Sequence, residues 1–209
     1  MKREIILTGD GSPTISVPEM NVMYHSIHGA IQESMHVFIE AGLYGSGRLE
    51  RPDPLNIFEM GFGTGLNTLL TLIEADKLKK STHYATIELF PLNNDEVKQL
   101  GYFEQLSQPA YQSLFEKLHQ CEWEKDVVMT PQFTFHKTQN DLANYSTNQL
   151  FNIIYFDAFA PNAQPELWTK DVFEKLYNMM LPGGILVTYC SKGDVRRNMQ
   201  AAGFKVEKT

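Results

Sequence analysis

The sequence has few cysteines and no long apolar run, and both absences restrict the class of protein. Cys121 and Cys190 are the only cysteines in 209 residues, and they stand far apart without a CxxC motif. We therefore expect no disulfide framework. No apolar run is long enough to span a bilayer, and Met1-Lys2-Arg3-Glu4 does not resemble the start of a signal peptide. These features predict a cytoplasmic protein without a membrane partner.

Several catalytic signatures are absent as well. The sequence contains neither a Walker loop nor the G-x-S-x-G elbow of hydrolases. His25 and His28 are three positions apart, but no cysteine or further histidine accompanies them at zinc-ligand spacing, so we expect no metal site. The net charge of −7 argues against non-specific coating of nucleic acid, although it leaves room for a local basic patch.

From residue 55 onward, strand-like segments alternate with helical ones. Strands are predicted over 55–59, 83–88, 133–136, 151–157 and 185–188, with a last strand beginning at 203–206. Helices are predicted over 66–73, 94–100, 109–119, 169–180 and 194–202, the last two capped by Thr169 and Asp194. This alternation predicts an α/β fold with a doubly wound, mainly parallel sheet. Right-handed crossovers would place the ends of the first two strands side by side.

The first 50 residues show a different pattern. Apolar segments at 4–8 and 14–17 flank Gly9-Asp10-Gly11-Ser12, which predicts a β-hairpin, and Pro13 and Pro18 predict that its second arm is an edge strand. A helix should follow, with one apolar face. That face comprises Ile31, Met35, Phe38, Ile39 and Leu43. Gly45-Ser46-Gly47 and Arg51-Pro52-Asp53-Pro54 predict a flexible joint into the sheet.

The segment from Glu59 to Asn67, Glu-Met-Gly-Phe-Gly-Thr-Gly-Leu-Asn, carries the strongest chemical signal. A tight turn without a ligand, a dinucleotide site and an S-adenosylmethionine site are three interpretations of it. Dinucleotide sites use G-x-G-x-x-G, with a diphosphate on the helix amides. Here the spacing is G-x-G-x-G after a carboxylate, which would repel a diphosphate but suits the sulfonium and ammonium groups of S-adenosylmethionine. We therefore favour S-adenosylmethionine.

Two further strand ends offer polar groups to such a cofactor. Glu88 follows Gly65 by 23 positions, a spacing at which an acidic residue accepts ribose hydroxyls. Thr138-Gln139-Asn140-Asp141 ends the next strand and could reach the adenine edge, although a helix cap by Asn140 or Asp141 is equally consistent with it.

Asp157 ends an almost wholly apolar strand that should lie across the cleft from the glycine segment. A carboxylate there could hold a substrate amine beside the cofactor methyl group, or take its proton. Phe159 and Trp168 could stack on a base, but core packing is the better interpretation for each alone. Lys192, Arg196 and Arg197 belong to a basic cluster that could contact phosphates, or could simply be a solvated helix start.

Taken together, these motifs resemble the MnmC/MnmD-type tRNA methyltransferases over nearly the whole chain. The resemblance rests on the glycine segment, Asp157-Ala158-Phe159-Ala160-Pro161-Asn162 with Trp168-Thr169, Pro182-Gly183-Gly184, Ser191-Lys192-Gly193 with Val195-Arg196-Arg197, Ala202-Gly203-Phe204, and an upstream segment from Tyr24 to Phe38. Only the combination is specific, because the glycine segment alone indicates no more than a class I methyltransferase.

The resemblance implies a Rossmann-like, S-adenosylmethionine-dependent enzyme. It would methylate the amine of 5-aminomethyl-2-thiouridine at the tRNA wobble position, as a stand-alone domain whose partner is tRNA and, in addition, a separate FAD-dependent oxidoreductase. Residues 1–50 would form an extension packed on a methyltransferase domain of residues 51–209. Asp157 would be catalytic. Cofactor binding would fall to Glu59, Gly61, Phe62, Gly63, Gly65, Asn67, Glu88, Gln139 and Asp141, and substrate binding to Tyr24, Ser26, Phe159, Pro161, Lys192, Arg196 and Arg197.

Two departures from the family pattern leave alternatives open. Thr138-Gln139 stands where the family has Gly-Asp, and the family continues past Ala202-Gly203-Phe204 into a final hairpin with a basic segment. An aminopropyltransferase resembling spermidine synthase shares the expected fold and an amine acceptor. A non-catalytic S-adenosylmethionine- or RNA-binding module is an alternative of another class.

Overall fold

The computed structural model describes residues 2–45, 50–51 and 53–208, which form two sheets. The first sheet is antiparallel, with β2 between β1 and β3. Its strands are β1 (Glu4–Leu7), β2 (Pro13–Val17) and β3 (Val22–Met23). The predicted hairpin is thus confirmed, but the prediction that its second arm is an edge was wrong. Pro13 is the first residue of β2, and Ser16 and Val17 pair with β3 farther along the strand.

The second sheet has the order β6-β7-β5-β4-β8-β9, and only the β6–β7 pair is antiparallel. Its strands are β4 (Leu55–Met60), β5 (Thr82–Ile87), β6 (Asp126–Thr130), β7 (Phe133–Thr138), β8 (Phe151–Phe156) and β9 (Met180–Val187). The predicted mainly parallel, doubly wound sheet is confirmed. β6 was not predicted, because its short run of Val127, Val128 and Met129 carries no clear periodicity.

Most helices lie in the connections between successive strands. The helices are α1 (Ala30–Ser34), which continues as a π-helix over Met35–Leu43, then α2 (Leu66–Leu78), α3 (Asn94–Lys98), α4 (Tyr102–Gln105), α5 (Gln112–Gln120), α6 (Lys170–Asn178) and α7 (Gly193–Ala201). Short 3-10 turns occupy Pro18–Met20, Pro109–Tyr111 and Pro165–Trp168. No described helix is long and apolar enough to cross a membrane.

The helix predicted after the hairpin has the expected apolar face. Phe38, Ile39 and Leu43 are buried, and Ile31 and Met35 pack against the same core. That core also contains Ile15 and Val17 from the first sheet, so the two sheets share one apolar cluster. The division at residue 50 stays a prediction. The predicted flexible joint falls largely on residues 46–49 and 52, which lie outside the described part of the chain.

The ends of β9 and α7 differ from the predictions, whereas the start of α6 agrees with them. β9 begins at Met180 and not at Ile185, because Phe151 pairs with Met180 before the register shifts and Ile153 pairs with Ile185. Thr169 caps α6 through Val172 N as predicted, at 3.4 Å. Asp194 does not cap α7. The helix starts one residue earlier, with Lys192 at the N-cap position, and Asp194 accepts a bond only from its neighbour Val195.

The predicted last strand is also absent from the described residues. Gly203 has φ +105°, and Phe204 N donates to Met199 O at 3.1 Å, which turns the chain back at the end of α7. The Phe204 ring then packs edge-on against Tyr177 of α6, with ring centroids 5.1 Å apart. Phe204, whose apolar side chain favoured the strand prediction, is therefore engaged in packing against α6.

The strand registers align the carboxyl ends of the four central strands. Met60 of β4 pairs with Ile87 of β5 and with Phe156 of β8, and Ile87 pairs with Thr138 of β7. The residues that follow each strand therefore emerge side by side at one edge of the sheet, where open α/β sheets bind ligands.

Lys137 connects β7, next to this edge of the sheet, to the end of α5. Its side chain is completely buried, and its ammonium donates to Leu118 O at 3.0 Å and to His119 O, at the carboxyl end of α5. The same ammonium lies 4.5 Å from the centre of the Trp123 ring. It thereby satisfies helix-end carbonyls and complements the helix dipole.

We predict that Lys137→Met lowers the free energy of unfolding by roughly 1–3 kcal/mol, because two buried carbonyls lose a charged donor. Urea denaturation at neutral pH measures this change. Lys125→Met is the matched control, since Lys125 forms an exposed ion pair with Glu122 and its loss should cost less than about 1 kcal/mol. Equal losses in both variants would contradict the role of Lys137.

Candidate functional site

A cavity of about 340 Å³ opens at the aligned strand ends, within the size range of small-molecule sites. Many of the predicted site residues line it together, namely Tyr24, Gly61, Phe62, Gly63, Asn67, Glu88, Asp141, Asp157 and Phe159. These residues come from the first sheet, the glycine segment and the ends of β5, β7 and β8. The structure thus brings most of the predicted cofactor residues and the predicted catalytic residue to a single cavity.

The remaining predicted residues lie beneath or beside the cavity and do not line it. Gln139 is exposed, and its backbone N–H donates to Glu124 Oε1 at 3.0 Å, so Asn140 takes its place on the lining. Ser26 binds the backbone of His28 through its hydroxyl. The others outside the lining are Glu59, Gly65, Pro161, Lys192, Arg196 and Arg197.

The glycine segment approaches the end of β8 too closely for a larger residue. Gly61 has φ +92°, and a Cβ on it would lie 2.9 Å from the carbonyl oxygen of Asp157. The Asp157 N–H donates to Met60 O at 3.1 Å, so the two loops are joined at this point. Because Gly61 has no Cβ, the backbone of the segment can also be approached closely by a ligand.

Glu88 links the same segment to β5. Its Oε2 accepts the N–H of Gly63 at 2.8 Å, and its Oε1 accepts the N–H of Phe90 at 2.8 Å. These bonds fix the carboxylate on the cavity wall while leaving lone pairs that can accept hydroxyl groups.

Asp157 and Asn67 face each other across the floor of the cavity. Asn67 Nδ2 donates to Asp157 Oδ2 at 2.8 Å. Burial first, and the charge of Glu33 second, raise the pKa of Asp157 to about 7, while the Asn67 bond opposes the rise. A carboxyl with a pKa near neutrality can exchange a proton under ordinary conditions.

Asp141 lines the cavity but is also engaged in a turn. Its Oδ1 accepts from Asn144 N at 2.7 Å and its Oδ2 accepts from Asn144 Nδ2 at 2.9 Å. Asn140 in turn accepts from the N–H of Asp141 at 2.9 Å. The alternative prediction that Asn140 or Asp141 caps a helix was therefore wrong, since no helix follows among residues 142–150. The two residues cap a turn instead.

The two aromatic candidates at the β8 end have different surroundings. Trp168 is buried, packs edge-on against Phe156 at 5.0 Å, and donates its indole N–H to Phe159 O at 2.8 Å, which is a core role. Phe159 lies on the cavity wall, edge-on to Tyr24 with centroids 5.1 Å apart.

Charge within the cavity has one sign. Its ionisable lining residues, apart from His25 and Tyr24, are the carboxylates Glu88, Asp141, Asp157 and Glu166, and neither lysine nor arginine is among the lining residues. Burial lowers the pKa of His25 to about 4, so this ring is neutral. An acidic cavity with an apolar wall fits a cationic ligand that carries an aromatic base, and it would repel a diphosphate. The residues present therefore fit S-adenosylmethionine.

Several lining residues were missed by the sequence reasoning. Met20 and His25 reach the cavity from the first sheet, and Gln164, Glu166 and Leu167 reach it from the loop after β8. No local pattern marks them, because their place depends on contacts between distant parts of the chain. Leu89 and Phe90, which follow Glu88, could have been suggested by their position after a strand end.

His119 is a further residue without a sequence signal. Its ring lies between Phe62 and Phe115, at centroid distances of 4.8 and 5.0 Å, and its Nε2–H donates to Thr64 O at 3.2 Å. A Cβ on Gly65, whose φ is +76°, would lie 2.9 Å from that nitrogen. Burial lowers the pKa of His119 to about 3, so the ring stays neutral with one N–H. His119 thereby holds the glycine segment from behind.

Comparison with known proteins gives a family and a fold. The model of the family described as S-adenosyl-L-methionine-dependent methyltransferase matches residues 100–209. Two curated relatives, from Leptospira interrogans and Aeromonas salmonicida, are both named tRNA 5-methylaminomethyl-2-thiouridine biosynthesis bifunctional protein MnmC. They are 30% and 32% identical over 97% and 95% of this chain, which spans about a third of their length, 33% and 32%.

A solved structure, the crystal structure of MNMC2 from Aquifex aeolicus, has the same fold. Its TM-score is 0.77 at 24% identity, over 98% of this chain and 65% of that chain. The likeness shows the Rossmann-like fold that was predicted from the sequence.

We predict that His119→Phe weakens S-adenosylmethionine binding by roughly 2- to 10-fold, the worth of one hydrogen bond, because the aromatic packing stays while Thr64 loses its donor. Isothermal titration calorimetry measures the affinity. His119→Gln keeps an N–H donor at the same reach and should bind more tightly than His119→Phe. Affinity in His119→Phe equal to that of the unsubstituted chain would show that this hydrogen bond does not position the segment.

Proposed function

The chain belongs to the family of S-adenosyl-L-methionine-dependent methyltransferases, and we propose that it methylates the primary amine of 5-aminomethyl-2-thiouridine at the wobble position of tRNA. The observation that carries the proposal is the half-buried Asp157 carboxylate in a cavity without lysine or arginine. Such a site favours a cationic amine over an anionic or neutral acceptor. The printed names of the relatives support the choice of tRNA and of this modified base.

S-adenosylmethionine supplies the methyl group. Gly61, Phe62, Gly63 and Asn67 are proposed to hold its methionine part, Glu88 its ribose, and the Asn140–Asp141 turn with Leu89 and Phe90 its adenine side. This assignment follows from their common cavity. The segment's exposed backbone and the fixed carboxylate of Glu88 provide the polar contacts, and the apolar wall covers the base.

Asp157 is proposed to manage the proton of the acceptor amine. A primary amine is protonated near neutral pH and has no free lone pair until it loses that proton. A carboxylate whose pKa is close to 7 can take the proton and then orient the lone pair by accepting an N–H bond. Correct orientation of two reactants can itself lower a barrier by about 7–11 kcal/mol.

Tyr24 and Phe159 are proposed to flank the splayed-out base, since unstacked RNA bases are recognised on aromatic side chains. Their rings meet edge-on at the cavity wall. Ser26 and Pro161 lie two residues after Tyr24 and Phe159, outside the cavity lining. We propose that they contact the substrate at the outer edge of the site.

The basic face of α7 is proposed to contact phosphates of tRNA. Lys192, Arg196 and Arg197 are exposed, and no described carboxylate forms an ion pair with them. Lys192 donates to Asn162 Oδ1 at 2.7 Å, in the loop that follows Asp157. The face is thereby connected to the active-site loop.

The proposal extends to partner and location. A separate FAD-dependent oxidoreductase is proposed to act in the same modification, because the chain spans about a third of relatives named as bifunctional proteins. We place the reaction in the cytoplasm, where tRNA is abundant and where the free thiols of Cys121 and Cys190 are stable.

The function is tested with labelled S-adenosylmethionine and tRNA that carries the unmethylated aminomethyl base. We expect label on that base, and we expect Asp157→Ala to lower kcat by roughly 10²-fold or more while S-adenosylmethionine affinity changes little. In the unsubstituted enzyme kcat/KM should rise with pH through about 7, as Asp157 loses its proton. Label transferred only to another acceptor would overturn the substrate assignment. Loss of cofactor binding in Asp157→Ala would move Asp157 among the cofactor ligands.

The basic face is tested separately with the double substitution Arg196→Gln and Arg197→Gln. Fewer released counterions should raise KM for tRNA and reduce the slope of log KM against log salt by about 1–2, while kcat at saturation changes little. Lys170→Gln with Lys205→Gln is the matched control, since both lysines form exposed ion pairs. An equal effect in the control would indicate net charge and not a defined face.

A further inference from the structure

We propose that Glu59 is a neutral positioning residue beneath the cavity, which holds Asn67 and through it Asp157, and that it does not contact the cofactor. The proposal differs from the expectation for a carboxylate that precedes a glycine segment. It rests on the proposed role of Asp157 for its catalytic consequence, but its binding consequence depends only on the cofactor.

The position of Glu59 is the first observation. Its side chain is completely buried, and it is absent from the cavity lining, whereas Met60 next to it lines the cavity. Successive side chains of a strand point to opposite faces. Glu59 therefore points under α2, on the same face as Ile57, and away from the face on which Met60 reaches the cavity.

The hydrogen bonds of Glu59 are the second observation. Thr68 Oγ1 donates to Glu59 Oε2 at 3.0 Å, but Glu59 Oε1 is buried without a partner. Asn67 Oδ1 and the Tyr84 hydroxyl nearby are buried without a partner as well. The Tyr84 hydroxyl can donate to Glu59 in either protonation state, but only a carboxylic acid has an O–H that it can donate to Asn67 Oδ1.

The charges around Glu59 point the same way. No described lysine, arginine or histidine forms an ion pair with it. The ionisable groups that face it are Tyr84 on β5, Tyr155 on β8 and Asp157 after β8. Burial first, and the charge of Asp157 second, raise the pKa of Glu59 to about 8, against the opposing effect of the neighbouring polar groups of Thr68, Tyr84 and Asn67.

The connection to the reaction passes through the start of α2. Thr68 binds Glu59, and the preceding residue Asn67 donates to Asp157 Oδ2 at 2.8 Å. A neutral Glu59 fixes this first turn without placing a second negative charge behind Asp157. An ionised Glu59 would raise the pKa of Asp157 further and disfavour the form that accepts a proton.

The test compares Glu59→Gln with Glu59→Ala. Glutamine keeps the size and neutrality and supplies an N–H donor, so we expect S-adenosylmethionine affinity and kcat within 2- to 3-fold of the unsubstituted enzyme between pH 6.5 and 8.5. Alanine removes the bond to Thr68 and the carboxyl group beside Asn67, and it should lower kcat at least 10-fold, with a shifted pH profile and a smaller change in cofactor affinity. Glu88→Gln is the matched control, since this carboxylate lines the cavity and its neutralisation should weaken S-adenosylmethionine binding.

Infrared difference spectroscopy reports the protonation state of the carboxyl groups directly. At pH 7 the unsubstituted protein should show a carboxylic acid C=O band that Glu59→Gln lacks, beside the band that both proteins owe to Asp157, whose pKa is about 7. Absence of this Glu59-dependent band, or a loss of S-adenosylmethionine affinity of 10-fold or more in Glu59→Gln, would mean a charged cofactor ligand and overturn the proposal. Binding and spectra need no tRNA, so this failure is distinguishable from failure of the proposed substrate.

Discussion

The in-register alignment of four parallel strand ends is the constraint on which the site depends. Met60, Ile87, Thr138 and Phe156 are neighbours across the sheet, so the residues that follow them meet without any long-range adjustment of loops. The short bonds from Asp157 N to Met60 O and from Gly63 N to Glu88 Oε2 then lock the loops together. The segments that follow β4, β5 and β8 are thereby joined by hydrogen bonds into one wall of the cavity.

Beneath this wall, buried polar groups take the place of a purely apolar core. His119, Lys137 and Glu59 each bind backbone or side-chain atoms that belong to the segments lining the cavity or to the helix ends next to them. Such groups are costly to bury unless they are paired. Their pairing specifies the position of the glycine segment more sharply than packing alone.

Electrostatics divide the molecule into two regions with different tasks. The cavity lining contains carboxylates and neither lysine nor arginine, whereas α7 and the residue before it present exposed cations, of which Lys192 contacts the loop after β8. A net charge of −7 conceals this separation. The sequence position of Lys192, Arg196 and Arg197 after a strand indicated the basic region, but its distance from the acidic one could be seen only in the fold.

Much of the central sheet was predictable, since apolar runs that end in a carboxylate mark strands with little ambiguity. The depth of each carboxylate was not. Glu59 and Glu88 both end such runs, yet one lies under α2 and the other on the cavity wall. Strand periodicity gives the face, but it does not tell which face a helix covers. Gln139 and Phe204 were misjudged for a related reason, because a capped turn and a helix end use them locally.

The first sheet contributes Met20, Tyr24 and His25 to the cavity although it shares no strand with the central sheet. The roof of the site and its floor thus belong to separately hydrogen-bonded structures. Substitutions near Met20, Tyr24 and His25 can therefore reshape that part of the cavity wall without altering the strand pairing of the central sheet, within the limits set by the apolar cluster that both sheets share.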